Sequence, residues 1–159
     1  NQEKGVRSGT ENFLGITSLP VALKLKRNRK TIEKNRNYIL KEILKIPGTR
    51  LNGSKKNRIY NNINVSFYGI EGESILILLS QKGIFVSTGS ACSSNKLSES
   101  HVLKAIGVDP LYLNGSIRIT LDDITIEQRA YIIKTIKDVV KRLQNMSPFK
   151  FKDELNETR

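Results

Sequence analysis

The segment that decides the fold is Ser116-Ile117-Arg118-Ile119-Thr120-Leu121, in which apolar and polar side chains alternate. Successive side chains of a strand point to opposite faces of a sheet, so this alternation predicts a β-strand with one apolar and one polar face. Arg118 falls on the polar face. The strand is therefore predicted to be buried on one side only.

The surrounding sequence predicts further strands, which are separated from one another by helices. The predicted strands are 49–51, 64–68 and 84–87, and the predicted helices are 31–44, 74–82, 97–106 and 125–143. Gly83 and Gly107 follow two of these helices, as C-terminal caps often do, and Thr125 or Asp123 caps the last one. Strands that alternate with helices predict an α/β or α+β layer of about four strands, with the second and the last helix on one face.

The N-terminal part predicts another helix. Ser8 and Glu11 fit the capping box, in which two side chains satisfy free backbone N–H groups at a helix start. Apolar residues over 13–25 follow with roughly helical spacing, and Pro20 is expected to kink or split this helix. The hydroxyls of Ser8 and Thr10 suit ordinary capping, while the free N–H groups also suit a phosphate.

Cys92 is the only cysteine and lies in Val86-Ser87-Thr88-Gly89-Ser90-Ala91-Cys92-Ser93-Ser94, directly after a predicted strand. Bulky neighbours that would hold it in a core are absent, and small polar neighbours let the backbone bend. Since thiolate chemistry requires access, this setting favours a reactive thiol, although free cysteines are also among the most often buried residues. A single cysteine excludes an internal disulfide and is typical of a reducing, cytoplasmic protein.

Two other side chains are candidates for chemistry. Arg118 stands alone between apolar neighbours and needs an anionic partner: it either clamps a substrate carboxylate through a bidentate pair or forms a structural ion pair with Asp122. His101, the only histidine, follows Cys92 by nine residues. A Cys–His catalytic pair is one interpretation, but His101 opens an amphipathic helix, which favours a surface or capping role. One histidine and one cysteine predict no metal site.

The chain of 159 residues is strongly basic, with a net charge of +12. Between Lys24 and Arg58 thirteen residues are Lys or Arg, and only Glu33 and Glu42 oppose them. Such a region can bind an acidic protein, nucleic acid or anionic lipid, or form a solvated helix face. Aromatic residues that stack on bases are not interleaved with it, which favours an acidic protein over nucleic acid. No apolar run approaches the roughly 20 residues of a membrane span, and no membrane partner is predicted.

Five stretches, taken together and in this order, resemble the C-terminal portion of the cysteine desulfurases of the NifS/IscS-like class, which use pyridoxal phosphate. They are Arg7-Ser8-Gly9-Thr10-Glu11-Asn12, Asn62-Ile63-Asn64-Val65-Ser66-Phe67, Ser87-Thr88-Gly89-Ser90-Ala91-Cys92-Ser93-Ser94, His101-Val102-Leu103-Lys104-Ala105-Ile106-Gly107 and Ser116-Ile117-Arg118-Ile119-Thr120. Each is weak alone, but the order and spacing agree over residues 2–143. The resemblance implies the small C-terminal domain of a fold-type I enzyme, with a mostly antiparallel sheet of about four strands covered by helices.

The resemblance also implies a division of the chain and a role for three residues. Residues 1–30 correspond to a connecting helix segment, 31–145 to the small domain with the cysteine loop, and 146–159 to a polar tail. Cys92 looks like the nucleophile that takes sulfur from L-cysteine as a persulfide and releases alanine. Arg118 matches the arginine that binds the substrate carboxylate, and Thr10 matches a residue on the cofactor phosphate of the neighbouring subunit in a homodimer. An acidic acceptor or scaffold protein would receive the sulfur for iron–sulfur and thio-cofactor assembly.

The chain departs from the family pattern in one large respect. These enzymes hold pyridoxal phosphate on a lysine well upstream of the Arg-Ser-Gly-Thr motif, whereas nine residues precede Thr10 here. No lysine of this chain is expected to take that role, and the chain alone is expected to be inactive. Smaller departures are Pro20 and Asp122-Asp123, where relatives often carry a glycine. A non-catalytic module that docks to a scaffold or relays sulfur is the alternative, and a nucleic-acid-binding domain is a further one.

Overall fold

The computed structural model describes residues 2–25, 27–88 and 100–151. A 3₁₀ turn over Gln2–Gly5 comes first. The helices are α1 (Phe13–Lys24), α2 (Arg29–Ile43), α3 (Gly72–Ser80), α4 (His101–Ala105), α5 (Pro110–Leu113) and α6 (Ile126–Met146). The strands are β1 (Thr49–Leu51), β2 (Asn62–Phe67), β3 (Ser87–Thr88) and β4 (Ser116–Thr120).

In the described part of the chain the strands form one sheet of order β1-β2-β4-β3, and every neighbouring pair is antiparallel. The central pair sets the register, with Ile63 opposite Ile119 and Val65 opposite Ile117. Arg118 is exposed while Ile117 and Ile119 are buried. The sheet therefore confirms the predicted four-stranded antiparallel layer and the polar face assigned to Arg118.

The apolar face of the sheet carries the core. Ile63, Val65, Phe67 and Ile117 are fully buried, and burying one such side chain contributes about 1.5–3 kcal/mol. Their partners come from α2, α3 and α6, chiefly Ile32, Ile39, Ile43, Ile75, Leu79, Ile133, Ile136, Val139 and Val140. The second and the last helix cover one face as predicted, and α3 joins them.

Helix α1 begins later than predicted. Its N-cap is Asn12, whose Oδ1 accepts the Gly15 N–H at 3.0 Å, so the predicted capping box of Ser8 and Glu11 is wrong. Asparagine is as good an N-cap as serine and lies next to the apolar run. The helix continues past Pro20 without a break, so the predicted split does not occur.

Two short elements show further differences: one strand lies at shifted positions, and one helix was not predicted. The strand predicted at 84–87 is observed as Ser87–Thr88, which shares only Ser87 with the prediction and pairs with β4. Helix α5 was not predicted, although Asp109-Pro110 contains its start signal: Asp109 Oδ1 accepts the Leu111 N–H at 2.8 Å, and proline fits the first turn. Gly83 and Gly107 both have positive φ after their helices, at 73° and 69°, as expected of C-caps.

Helices α2 and α6 lie side by side. Their contacts show that they run in the same direction, since residue numbers rise together along both helices. Arg129 Nη1 donates to Asn35 Oδ1 at 3.1 Å, and Lys137 Nζ donates to Glu42 Oε2 at 2.8 Å. At the far end, the Gln144 side chain donates to the Pro47 carbonyl at 2.8 Å. Thr125, one of the two predicted caps, starts α6 and forms a capping box with Gln128.

The ion pair at Glu42 predicts a pH-dependent stability. Hydrogen bonds from Lys137 and then Lys45 lower the pKa of the Glu42 carboxyl from 4.5 to about 2. Because the folded pKa lies below the unfolded one, the carboxylate stabilises the fold above about pH 4.5, and this contribution is lost as the pH falls towards 2. The stability difference between wild type and Glu42→Gln should therefore shrink on acidification, as measured by urea unfolding.

A matched control for this experiment is Glu71→Gln, because Glu71 forms no salt bridge among the described residues. Its stability difference from wild type should change less with pH than that of Glu42→Gln. An equal pH dependence in the two variants would show that the Lys137 and Lys45 contacts do not perturb Glu42.

The described part of the predicted tail packs on the sheet end. Ser147 Oγ donates to the Gly69 carbonyl at 2.5 Å, and the Phe151 ring meets the Tyr68 ring edge-on with centroids 5.5 Å apart. Residues 152–159 lie outside the described chain. No helix among the described residues combines the length and apolar character that crossing a bilayer requires.

Candidate active site on the polar face of the sheet

Arg118 lies at the centre of the polar face. In the register its neighbours are Asn64 on β2 and Ser87 on β3. Its side chain is exposed, and it makes no hydrogen bond or ion pair with any residue that the structure describes. A guanidinium on a sheet face, with polar neighbours on both sides and free donors, suits a planar anion such as a carboxylate.

The alternative partner for Arg118 was Asp122, and the structure contradicts that ion pair. Asp122 Oδ2 lies 3.4 Å from Arg27 Nη2 instead, and its other oxygen accepts the Asp123 N–H at 3.0 Å. Asp122 follows the end of β4, and Arg27 lies in the segment before α2. The Asp122 side chain is therefore directed to that segment and not to Arg118. The Arg118 guanidinium is consequently left available for a ligand.

A polar network lies beside Arg118 and was not predicted. The Asn52 amide donates to Asn64 Oδ1 and to Ser66 Oγ, both at 2.7 Å, and Asn52 and Ser66 are buried. Because the Asn64 carbonyl oxygen is used in this way, its amide NH₂ is turned away from Asn52. The signal was present in the sequence, since Asn62, Asn64 and Ser66 occupy alternate positions of one strand.

Strand β3 forms the edge of the site. Ser87 lies opposite Arg118, and Thr88 lies opposite Ile117. The chain continues from Thr88 into 89–99, and Cys92 lies in this segment, outside the described residues. Its predicted role as a nucleophile therefore stays a prediction.

The chain returns at Ser100, whose hydroxyl caps α4 by accepting the Leu103 N–H at 3.4 Å. His101 is the first residue of α4 and is exposed. This position confirms a surface histidine rather than a capping one, because the cap is Ser100. The described residues contain no group of three or more His, Cys, Asp or Glu side chains that could hold a metal ion.

Thr10 lies in the loop before α1 and is exposed. Arg7 Nη1 donates to the carbonyls of Gly9 and Thr10, at 3.0 and 2.8 Å. These two bonds hold the Arg7 side chain against the backbone of the same loop. Hydrogen bonds between described residues join neither Arg7 nor Thr10 to the face that carries Arg118. The structure thus brings Arg118, Asn64 and Ser87 together, and no hydrogen bond between described residues joins Thr10 to them.

Known proteins resemble this chain over most of its length. The family model described as aminotransferase class-V matches residues 1–124. A protein named cysteine desulfurase IscS from Methanosarcina thermophila is 44% identical over 92% of this chain and 38% of its own length. The protein of the same name from Dictyoglomus turgidum is 40% identical over 98% of this chain and 41% of its own length.

Solved structures give the same result at the level of the fold. A NifS-like protein from Rickettsia africae matches with a TM-score of 0.69 and 27% identity, over 88% of this chain and 38% of that one. Another NifS-like protein matches with a TM-score of 0.66 and 30% identity, over 89% and 37%. The chain thus spans about two fifths of the length of these relatives. The match to the family model over most of its length shows that this chain belongs to the class-V aminotransferase family.

Proposed function

We propose that this chain is the C-terminal part of a cysteine desulfurase, which takes sulfur from L-cysteine as a persulfide and releases alanine. The observation that carries the proposal is the Arg118 guanidinium, exposed on the polar face and unpartnered among the described residues. The segment that contains Cys92, the only cysteine of the sequence, follows β3, which pairs with β4 beside Arg118. Relatives named cysteine desulfurase support the same activity.

In this function Arg118 binds the carboxylate of L-cysteine. Two parallel N–H···O bonds from a guanidinium fix both the position and the plane of a carboxylate. Asn64, whose orientation Asn52 sets, offers amide donors at the next strand. Together these groups hold the amino acid in one orientation, which lets its sulfur be reached reproducibly.

Pyridoxal phosphate, when bound, supplies an electron sink for the bonds of an amino acid. The structure fits one end of this cofactor: the Thr10 hydroxyl is exposed and forms no hydrogen bond among the described residues, and the cationic Arg7 closes the same loop. As the family resemblance implies, Thr10 would contact the phosphate from one subunit of a homodimer to the other. No lysine of this chain is assigned to hold the cofactor.

Cys92 performs the sulfur transfer in this proposal. Its thiolate attacks the sulfur of L-cysteine, an S–S bond forms, and the bond between that sulfur and the substrate β-carbon breaks. The electron pair stays with the carbon, which gains a proton, so that the products are alanine and a Cys92 persulfide. The small neighbours of Cys92 suit a sulfur that visits both the substrate and an acidic acceptor protein for iron–sulfur assembly.

Helix α1 supports the assignment of residues 1–30 to a segment that packs on the remainder of a longer protein. None of its residues is buried, and its large apolar residues Phe13, Leu14, Ile16, Leu19, Val21 and Leu23 are 58–81% exposed. A helix that is apolar all round is normally buried. Residues 31–145 form the small domain in this proposal, with the tail after it, and the cytoplasm as its location.

The activity is tested with the full-length protein and with the isolated chain in parallel. With pyridoxal phosphate and L-cysteine, the full-length protein should release alanine and, with a reductant, an equal amount of sulfide. The isolated chain should release no more than free pyridoxal phosphate does. Absence of turnover by the full-length protein would favour the non-catalytic docking or relay module. Turnover by the isolated chain would contradict the prediction that this chain is inactive alone.

A further inference from the structure

A shallow groove of about 440 Å³ lies between α2 and α6. Its apolar lining consists of Tyr38, Ile126, Ala130 and Ile133. Ile126 is 68% exposed and Tyr38 is 47% exposed, while Ile133 belongs to the core cluster. The groove is thus an accessible apolar strip between two helices.

The cationic side chains in the lining of this groove are Arg129, Lys134 and Lys137. Arg129 is held over the Tyr38 ring, with its guanidinium carbon 4.1 Å from the ring centroid. Lys137 is held by Glu42, and the charge of Glu42 is offset by two lysines. The positive charges along the groove are therefore partly fixed in place before any partner arrives.

The two helices that form the groove are basic as a pair. Together they carry ten Lys or Arg residues and four Asp or Glu residues. One of the acids, Asp138, lies in the groove itself, and one of the cations, Arg36, is buried. In the lining of the groove itself the three cations Arg129, Lys134 and Lys137 all belong to α6 and outnumber the two acids Glu42 and Asp138.

We propose that this groove docks an amphipathic helix of another protein, whose polar side chains are acidic. An apolar strip between two helices accepts the apolar face of a third, and the surrounding cations select acidic flanks and speed association. Nucleic acid is disfavoured because Arg129 occupies one face of the Tyr38 ring, and the described residues that line the groove include no other aromatic side chain on which a base could stack.

The position of the groove makes this inference independent of the proposed catalytic step. Helices α2 and α6 cover the apolar face of the sheet, while Arg118 lies on the other face. A docked partner therefore leaves the polar face open, and the protein can bind this partner and L-cysteine at the same time.

The test uses the full-length protein and a fluorescent helical peptide with leucines along one face and glutamates elsewhere. Anisotropy should show saturable binding that weakens as salt is raised, because rim charges are screened. A scrambled peptide of identical composition should bind at least about fivefold more weakly, since it lacks the apolar face. Equal binding of the two peptides would overturn the proposal.

Variants locate the site. Lys134→Glu and Ile126→Asp should each weaken peptide binding by about fivefold or more while far-ultraviolet circular dichroism and alanine release stay as in wild type. Lys56→Glu is the matched control, because it changes the net charge equally at an exposed loop outside the groove. An equal effect of Lys56→Glu would show that the peptide binds through general charge attraction and not in this groove. A single-stranded oligonucleotide that binds more tightly than the peptide and depends on Lys134 would assign the groove to nucleic acid instead.

Discussion

Replacing Cys92 by serine in the full-length protein should lower alanine formation from L-cysteine by at least about 10³-fold, as expected when a nucleophile is removed. Serine is close to cysteine in shape, but its hydroxyl is not ionised near neutral pH, and the thiolate is the reactive form of cysteine. The hydroxyl also cannot store sulfur as a persulfide. The loss should therefore appear in kcat rather than in KM.

The control for this substitution is Ser93→Ala, which changes the adjacent residue of the same segment and leaves the thiol intact. It should keep most of the wild-type rate. Cofactor absorbance and its change on adding L-cysteine should persist in Cys92→Ser, because substrate binding does not require the thiol. If Cys92→Ser kept most of its activity, Cys92 would not be the nucleophile, and if activity and stability fell together, Cys92 would be a structural residue.

Replacing Arg118 by alanine should raise the KM for L-cysteine by about 10²-fold, since a bidentate charge-assisted pair is lost. Its stability should change little, because the side chain is exposed and has no partner among the described residues. Arg118→Lys should give an intermediate KM, because lysine keeps the charge but not the planar fork. Steady-state kinetics with L-cysteine separates these three cases.

Thr120→Ala provides a matched control on the same face of β4, where Thr120 is also exposed. It should leave KM close to that of wild type. An Arg118→Ala variant with an unchanged KM would remove the observation on which the proposed function depends. If its urea midpoint fell instead, the guanidinium would be a structural group with a partner outside the described residues.

The elements that were predicted well are those whose signals are local. Alternation over 116–121 gave β4 and the side of the sheet on which Arg118 lies, because side chains of a strand alternate between faces. The Thr125 cap of α6 could also be predicted, since the two residues of its capping box, Thr125 and Gln128, lie three positions apart in the sequence. Such signals require nothing from the rest of the fold.

The predictions that were wrong involve competition or long-range pairing. Ser8 and Asn12 both suit a helix N-cap, and only the folded loop around Arg7 shows that Asn12 is used. The strand predicted at 84–87 has suitable residues along its length, but only Ser87 of them pairs with β4, and the pairing continues to Thr88 beyond the predicted end. In the same way, Asp122 could meet Arg118 or Arg27, and the path of the chain after β4 decided for Arg27.

Residue order alone therefore determined the longer strands and helices, which face of β4 is polar, and which family motifs the chain carries, because these depend on neighbours within a few positions. Only the tertiary structure decided that Asn64 and Ser87 flank Arg118, and that α2 and α6 run in the same direction with a basic groove between them. Those arrangements join residues that are far apart in the chain. They follow from the burial of one shared apolar core, which no single segment specifies.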